Sequence, residues 1–350
     1  MKLLNKIVDY IFQYLMSRKL SIYKVGLSLV LFGSLLFGTG TYDFIIKDFS
    51  FKWDNSSSII EYLIGIFLIV SGVVLIFKKS IEESRIASKK QNFLYYISDC
   101  ELDSEESFKI SFLPEEGRTN LSKVERKINT YYKEEVVENY LHDKKYEVKS
   151  RSKNKNVENT YIASLGGFPH LYLMGSNFGS AYTSNISIFD FDRDKQVWYM
   201  PNQGGTEIKY KVNFEDISVD EKVIELKYNG NDEVGIAISN SFTIEKESIP
   251  KELLNDTLFL VLEDSLGINN VEGQITQKSL IDQLTNIMGE LSNKKTKIHL
   301  FASARASFCI KLGTYYMPQT YPIIVLYNYN KETKKRDWSI ELKNSRIIKN

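Results

Sequence analysis

The sequence predicts an N-terminal two-helix transmembrane hairpin followed by a cytosolic α/β domain, and three observations lead to that fold class. Two long apolar runs stand near the N-terminus, short apolar runs alternate with helix-like segments from Thr160 onward, and two stretches of that region repeat one order of features. The chain has 350 residues, 43% apolar and 25% charged, with a formal net charge of +1. It is long enough to bury a sizeable core, and its balanced charge points to no polyanionic partner such as DNA or RNA. Only two cysteines occur, Cys100 and Cys309, so no disulfide framework is indicated and reduced cytosol is the expected compartment.

The first apolar run spans about residues 22–42 and the second about 59–77. Each has the length of roughly twenty residues needed to cross a bilayer. Lys2, Lys6, Arg18, Lys19 and Lys24 precede the first span, and Lys78, Lys79, Arg85, Lys89 and Lys90 follow the second. The loop from Asp43 to Ser58 carries only Lys47 and Lys52, so both termini are expected on the cytosolic side. Residues 1–20 place Leu3, Leu4, Ile7, Val8, Ile11 and Phe12 on one helical face, as an amphipathic helix in the membrane interface or packed on the soluble domain. This segment, and the lack of a small-x-small cleavage site, argue against a cleaved signal. The expected organisation is an interfacial helix at 1–20, the hairpin at 21–78, a helical stalk at 79–98 and a soluble domain at 99–350, with halves of about 99–240 and 241–350.

Small residues recur at seven-residue steps in the spans: Gly26, Gly33 and Gly40 in the first, Gly65 and Gly72 in the second. Such ridges let helix backbones approach closely, either inside one hairpin or between copies as an oligomer seam. No charge lies mid-span, so an intramembrane ion pathway is not supported.

Within the soluble domain, Leu121 to Leu141 has apolar residues at helical spacing (Val124, Ile128, Tyr131, Tyr132, Val136, Val137), and Lys144 to Asn159 reads as an exposed loop. Strands are expected at Tyr161–Leu165, Ile186–Phe191, Val234–Ile238, Leu258–Leu262, Lys297–Phe301 and Ile323–Tyr329, with helices at Pro169–Asn177, Gln277–Leu291 and Ala304–Tyr315. The repeat runs as strand, small-residue turn, helix ending in glycine, strand, charged turn and tryptophan. Gly175 and Trp198 close the features of the first block, Gly313 and Trp338 those of the second. A duplicated α/β unit explains both.

Catalytic and metal chemistry find little footing. His142, His170 and His299 are scattered without partners at metal-ligand spacing, and Ser176 sits one position too early for a nucleophile elbow. Asp190-Phe-Asp192 suits a solvated hairpin end better than a metal. No cofactor is expected, and the chain reads as a non-enzyme. Three small polar strand-to-helix turns remain: Gly166-Gly167-Phe168, Ser239-Asn240-Ser241 and Ser303-Ala304-Arg305. In open α/β sheets ligands bind beyond the carboxyl ends of strands, where helix N-termini offer N–H groups to anions. Arg305 adds a bidentate charge contact, and Tyr327 or Phe168 a surface for base stacking. Core packing of Phe168, surface pairing of Arg305 and capping by the serines are the plainer alternatives.

The block from Lys297 to Thr314, with its Ile-His-Leu-Phe strand, small-residue turn and helix ending in Leu-Gly, followed by Ile324-Val-Leu-Tyr-Asn-Tyr329, resembles the C-terminal half of a SAVED domain. Leu165-Gly-Gly-Phe-Pro-His170 and Ile188-Phe-Asp-Phe-Asp-Arg193 with Trp198 resemble its first half. Arg305 departs from the small residue or proline common in the family's second turn. The resemblance implies two fused CARF-like, Rossmann-like units that bind a cyclic oligonucleotide, commonly a cyclic trinucleotide, made by a CD-NTase during phage infection. With a two-helix membrane module it resembles the TM-SAVED class of CBASS effector. The function so implied is self-association on ligand binding and disruption of the bacterial inner membrane. A membrane-anchored CARF protein of type III CRISPR immunity sensing cyclic oligoadenylate, and a membrane-anchored ring nuclease, remain alternatives.

Overall fold

Glycine spacing in the apolar runs becomes a helix pair. The computed structural model describes residues 22–35, 42–46, 49–53, 59–87, 91–99, 107–148, 157–179, 185–263, 267 and 271–348. In it, helix α1 (Ile22–Leu35) packs on α2 (Ile59–Ala87). A Cβ on Gly26 would stand 2.9 Å from the Gly72 carbonyl oxygen, and one on Gly33 would stand 2.7 Å from that of Gly65. The helices therefore run antiparallel with their backbones in near contact, which a larger residue at these sites would prevent. The four glycines serve this pair. Gly40 and the expected helix at 1–20 lie outside the described residues.

Helix α1 covers 14 residues, about 21 Å, short of a hydrocarbon core about 30 Å thick. Among the described residues one helical stretch, Leu63–Glu82, is long and apolar enough to cross a membrane, with a mean hydropathy of 2.1. The expected first span at 22–42 is corrected at its end, because Tyr42 opens a strand. Strands β1 (Tyr42–Ile46) and β2 (Phe49–Trp53) pair antiparallel where a loop was expected. Their aromatic and β-branched composition favours extended backbone.

The chain divides into two compact units, residues 1–89 and 90–350. The expected stalk at 79–98 is also corrected: α2 stops at Ala87, and β3 (Gln91–Asp99) is buried from Asn92 to Asp99. Its run of Phe93, Leu94, Tyr95, Tyr96 and Ile97 suits a central parallel strand covered on both faces. Leu121 to Leu141 is not one helix but β4 (Leu121–Ile128) followed by α3 (Lys133–His142). Val124 and Ile128 fit a period of two as well as one of 3.6. The exposed Lys123, Glu125 and Lys127 on the alternate positions mark a half-wet edge strand. Of the loop expected at Lys144 to Asn159, Asp143–Val148 forms a π-helical turn and Val157 already begins a strand.

The first lobe continues with β5 (Val157–Ser164), α4 (Phe168–Asn177), β6 (Asn185–Ile188) and a small hairpin, β7 (Asp190–Asp192) with β8 (Val197–Tyr199). Its sheet has the order β4-β3-β5-β6, all parallel. The second lobe adds β9 (Tyr210–Val212), α5 (Val219–Tyr228), β10 (Glu233–Ser239), β11 (Thr257–Leu262), α6 (Gln274–Ser292), β12 (Lys297–Ser303), α7 (Ala306–Thr314), β13 (Ile323–Asn330), β14 (Lys335–Lys343) and β15 (Arg346–Ile348). Its four parallel strands run β11-β10-β12-β13, flanked by antiparallel β9 on one side and β14 and β15 on the other. Both sheets thus follow one order, 2-1-3-4, and the duplication is real. Because β9 and β10 already belong to the second sheet and β3 to the first, the expected boundaries at residues 99 and 240 cut through lobes.

Helices α4 and α7 join the lobes. A Cβ on Gly175 would lie 1.9 Å from the Ile310 carbonyl oxygen, and one on Gly313 would lie 2.1 Å from that of Tyr172. These contacts are reciprocal under a shift of 138 positions, from 175 to 313 and from 172 to 310. The same shift equates the cross-strand pair Phe191 and Trp198 with Tyr329 and Arg336. Trp198 therefore corresponds to Arg336, not to the expected Trp338. One hydrophobic core runs through both lobes, and smaller clusters cover the outer face of each sheet.

Candidate functional site

Parallel β10 and β12 end side by side at the point where the second sheet reverses its winding, the usual place for a ligand crevice. Ser239, Asn240, Ser241 and Ser303 come together there. The N–H groups of Asn240 and Ser241 both donate to the Ser303 carbonyl at 2.9 Å, and that of Phe242 donates to Ser303 Oγ at 3.1 Å. Ser239 Oγ accepts from the Ile244 N–H at 3.0 Å. The hydroxyls thus fold the loop. Asn240 accepts from the Tyr210 hydroxyl at 2.9 Å, while its Nδ2 is buried with no hydrogen-bond partner among the described residues.

The equivalent turn of the first lobe is packed rather than open. Gly166 has φ +156°, and a Cβ there would lie 2.6 Å from Thr130 Cγ2. The Gly167 N–H donates to Thr130 Oγ1 at 3.1 Å, and Thr130 in turn bonds the buried Asp99 at the end of β3. A Cβ on Gly167 would meet Asn328 Oδ1 at 2.6 Å. Phe168 is corrected from a base-stacking residue to a core residue: it is buried, with its ring edge-on to Tyr172. Behind it, Ser164 Oγ donates to the Ile97 carbonyl at 2.7 Å and lies 3.1 Å from His170 Nε2, which therefore donates to it. Burial pushes the His170 pKa down to about 3, so the ring is neutral.

Arg305 is corrected as well. Its Nη1 donates to Asp190 Oδ2 at 2.9 Å and to the Tyr199 hydroxyl, and its Nη2 to Glu272 Oε1 at 3.0 Å. Ser307 Oγ also donates to Asp190 Oδ2, at 3.0 Å. The guanidinium clasps the first lobe's β7–β8 hairpin to the start of α7, and its charge is already answered by two carboxylates. The 138-residue shift explains its position, since Gly167 against Asn328 in one lobe corresponds to Arg305 against Asp190 in the other. Tyr327 donates or accepts at His299 Nδ1 (3.0 Å), and Phe301 covers one face of its ring, with centroids 4.5 Å apart. Sequence reasoning missed Thr130, Glu272 and Asn328 as members of these turns. The constant shift was the signal that could have placed Asn328. Among the described residues no cluster of His, Cys, Asp and Glu could hold a metal ion.

Two α/β lobes of one strand order, joined through equivalent glycine-bearing helices and meeting at their strand ends, define a fused pair of Rossmann-like units. Residues 142–342, more than half of the chain, match the model of the SMODS-associated and fused to various effectors sensor domain, and the chain belongs to this SAVED family. Similar solved structures include the Acinetobacter baumannii Cap4 SAVED/CARF-domain containing receptor with the cyclic trinucleotide 3'3'3'-cAAA, at 13% identity and a TM-score of 0.48 over 81% of this chain and 60% of that one. The same receptor with 2'3'3'-cAAA gives 14% identity and a TM-score of 0.45 over the same shares. The Moraxella osloensis Cap4 receptor gives 16% and 0.36 over 61% of this chain and 41% of that one. The chain thus spans about 60% of the length of the Acinetobacter receptor. No curated protein matches it.

Proposed function

We propose that the chain is a non-enzymatic membrane effector of bacterial anti-phage (CBASS) immunity whose SAVED domain binds a cyclic oligonucleotide. Binding drives self-association, which clusters the N-terminal helix pairs and permeabilises the inner membrane, with both termini cytoplasmic. The observation that carries this reading is the fusion of a SAVED sensor domain to a glycine-seamed helix pair with an apolar exterior. Leu31, Leu63, Phe67, Val70, Val74 and Phe77 are all exposed on that exterior, a surface suited to lipid and not to water. Because the glycines are taken up inside the pair, contacts between copies belong to this outer face.

Ligand choice rests on the β10 and β12 strand ends, where small residues meet and Asn240 Nδ2 is a buried donor with no partner among the described residues. The test is calorimetric titration of the full chain in detergent with cyclic di- and trinucleotides, beginning with 3'3'3'-cAAA and 2'3'3'-cAAA. Saturable binding of one member is expected. No binding across the panel would sink the reading.

A further inference from the structure

Arg336 is an unanswered cation. Its Nε and Nη1 are shielded from solvent, and among the described residues they have no hydrogen-bond partner and no carboxylate pairs with the guanidinium. Its guanidinium carbon sits 4.9 Å from the Tyr329 ring centroid and 5.6 Å from that of Phe301. Burial lowers its pKa only to about 10, so it is charged at neutral pH. Two aromatic faces offset part of the desolvation of a guanidinium but supply no acceptor for the shielded Nε and Nη1 donors.

The first lobe shows what the fold itself needs at this position. There the equivalent residue is Trp198, packed at ring-centroid distances of 5.3 Å from Phe191, 5.6 Å from Phe108 and 5.9 Å from Tyr96. An apolar ring fills the outer cluster without any charge. Arg305, by contrast, is a buried guanidinium that meets two carboxylates. Arg336 thus departs both from its structural counterpart and from the usual rule for buried charges.

We propose that Arg336 is the centre of an anion subsite on the outer face of the second lobe, taking a phosphate group of a nucleotide, with half-exposed Tyr329 as a stacking wall for the adjoining base. A guanidinium fork matches two phosphate oxygens, and an aromatic face matches any base. Tyr329 is 41% exposed and pairs with Arg336 across β13 and β14, so turning this ring uncovers the cation. The subsite deepens the cyclic-oligonucleotide reading and rests on it for the identity of the nucleotide.

The test uses the full chain in detergent with Arg336→Met, which keeps the length of the stem, Arg336→Lys and Tyr329→Ala. Affinity for the best cyclic trinucleotide should fall at least tenfold in R336M, less in R336K and several-fold in Y329A, with the unliganded R336M melting no lower than wild type. Should R336M fail to fold, R336K and Y329A carry the same comparison. Unchanged affinity in the variants overturns the subsite while leaving the function standing. If no cyclic nucleotide binds wild type, that function falls and inorganic pyrophosphate decides: thermal protection of wild type lost in R336M upholds the anion subsite, and absence of protection overturns it.

Discussion

Arg305 and His170 show how burial decides a side chain's role. The sequence marked Arg305 as a ligand contact because it closes a small-residue turn after a strand, a local argument that cannot see Asp190, 115 positions away. Folding places Asp190 at 4% and Arg305 at 6% side-chain exposure, where neither charge can stand without the other. Replacing Arg305 by Met should therefore cost about 3 kcal/mol by leaving a buried carboxylate unpaired. Adding Asp190→Asn should recover part of the loss, as read from denaturant midpoints of the two variants. His170 gives a pH signature. Its pKa is about 3 in the folded chain and near 6.5 when unfolded, so below pH 6.5 only the unfolded state gains a proton. Stability from the neutral ring is complete above pH 6.5 and falls by about 1.4 kcal/mol per pH unit toward pH 3. His170→Gln should flatten this acid limb relative to wild type when urea midpoints at pH 5 and pH 7 are compared. An identical slope in the two proteins would remove His170 as its source.

Elements were legible where one periodicity stood alone. The buried strands β10, β11, β12 and β13 read correctly as short apolar runs, and α4, α6 and α7 as helices, because each is bounded by glycine, proline or polar turns. Reading failed where two periods coincide, as at Val124 and Ile128, and where an aromatic strand directly follows a charged helix, as at β3. Helix contacts are also set by elements rather than single residues. A methyl group at Gly313 would stand 2.1 Å from the Tyr172 carbonyl oxygen, so Gly313→Ala must push α4 and α7 apart. The expected loss is about 2–3 kcal/mol, measured as a lower melting temperature. In the N-terminal unit, Gly33→Leu with Gly72→Leu should open the helix pair for the same reason. Ligand-triggered dye release from liposomes holding this variant should drop well below wild type, with ligand affinity unchanged. Equal release would show that the glycine seam is dispensable for membrane damage.

At the scale of the molecule, the duplication is visible in the sequence as an order of features, yet its register is not. Matching the tryptophans equated Trp198 with Trp338, whereas the ladders, Phe191 with Trp198 in one lobe and Tyr329 with Arg336 in the other, make Arg336 its equivalent, because hydrogen-bonded strands fix register more strictly than the spacing of conspicuous residues. The strand-end meeting of Ser239 to Ser241 with Ser303 was foreseeable, since parallel neighbours in a doubly wound sheet end on the same side. By itself, then, the sequence determined the apolar helices, their glycine ridges, the α/β class and the family resemblance, all of which depend on composition and spacing along one segment. Only the tertiary structure decided that Phe168 is core, that Arg305 is bound to Asp190 and Glu272, and that Nε and Nη1 of Arg336 are shielded with no partner among the described residues. Those assignments depend on which distant groups share a low-dielectric space, and no local pattern encodes that.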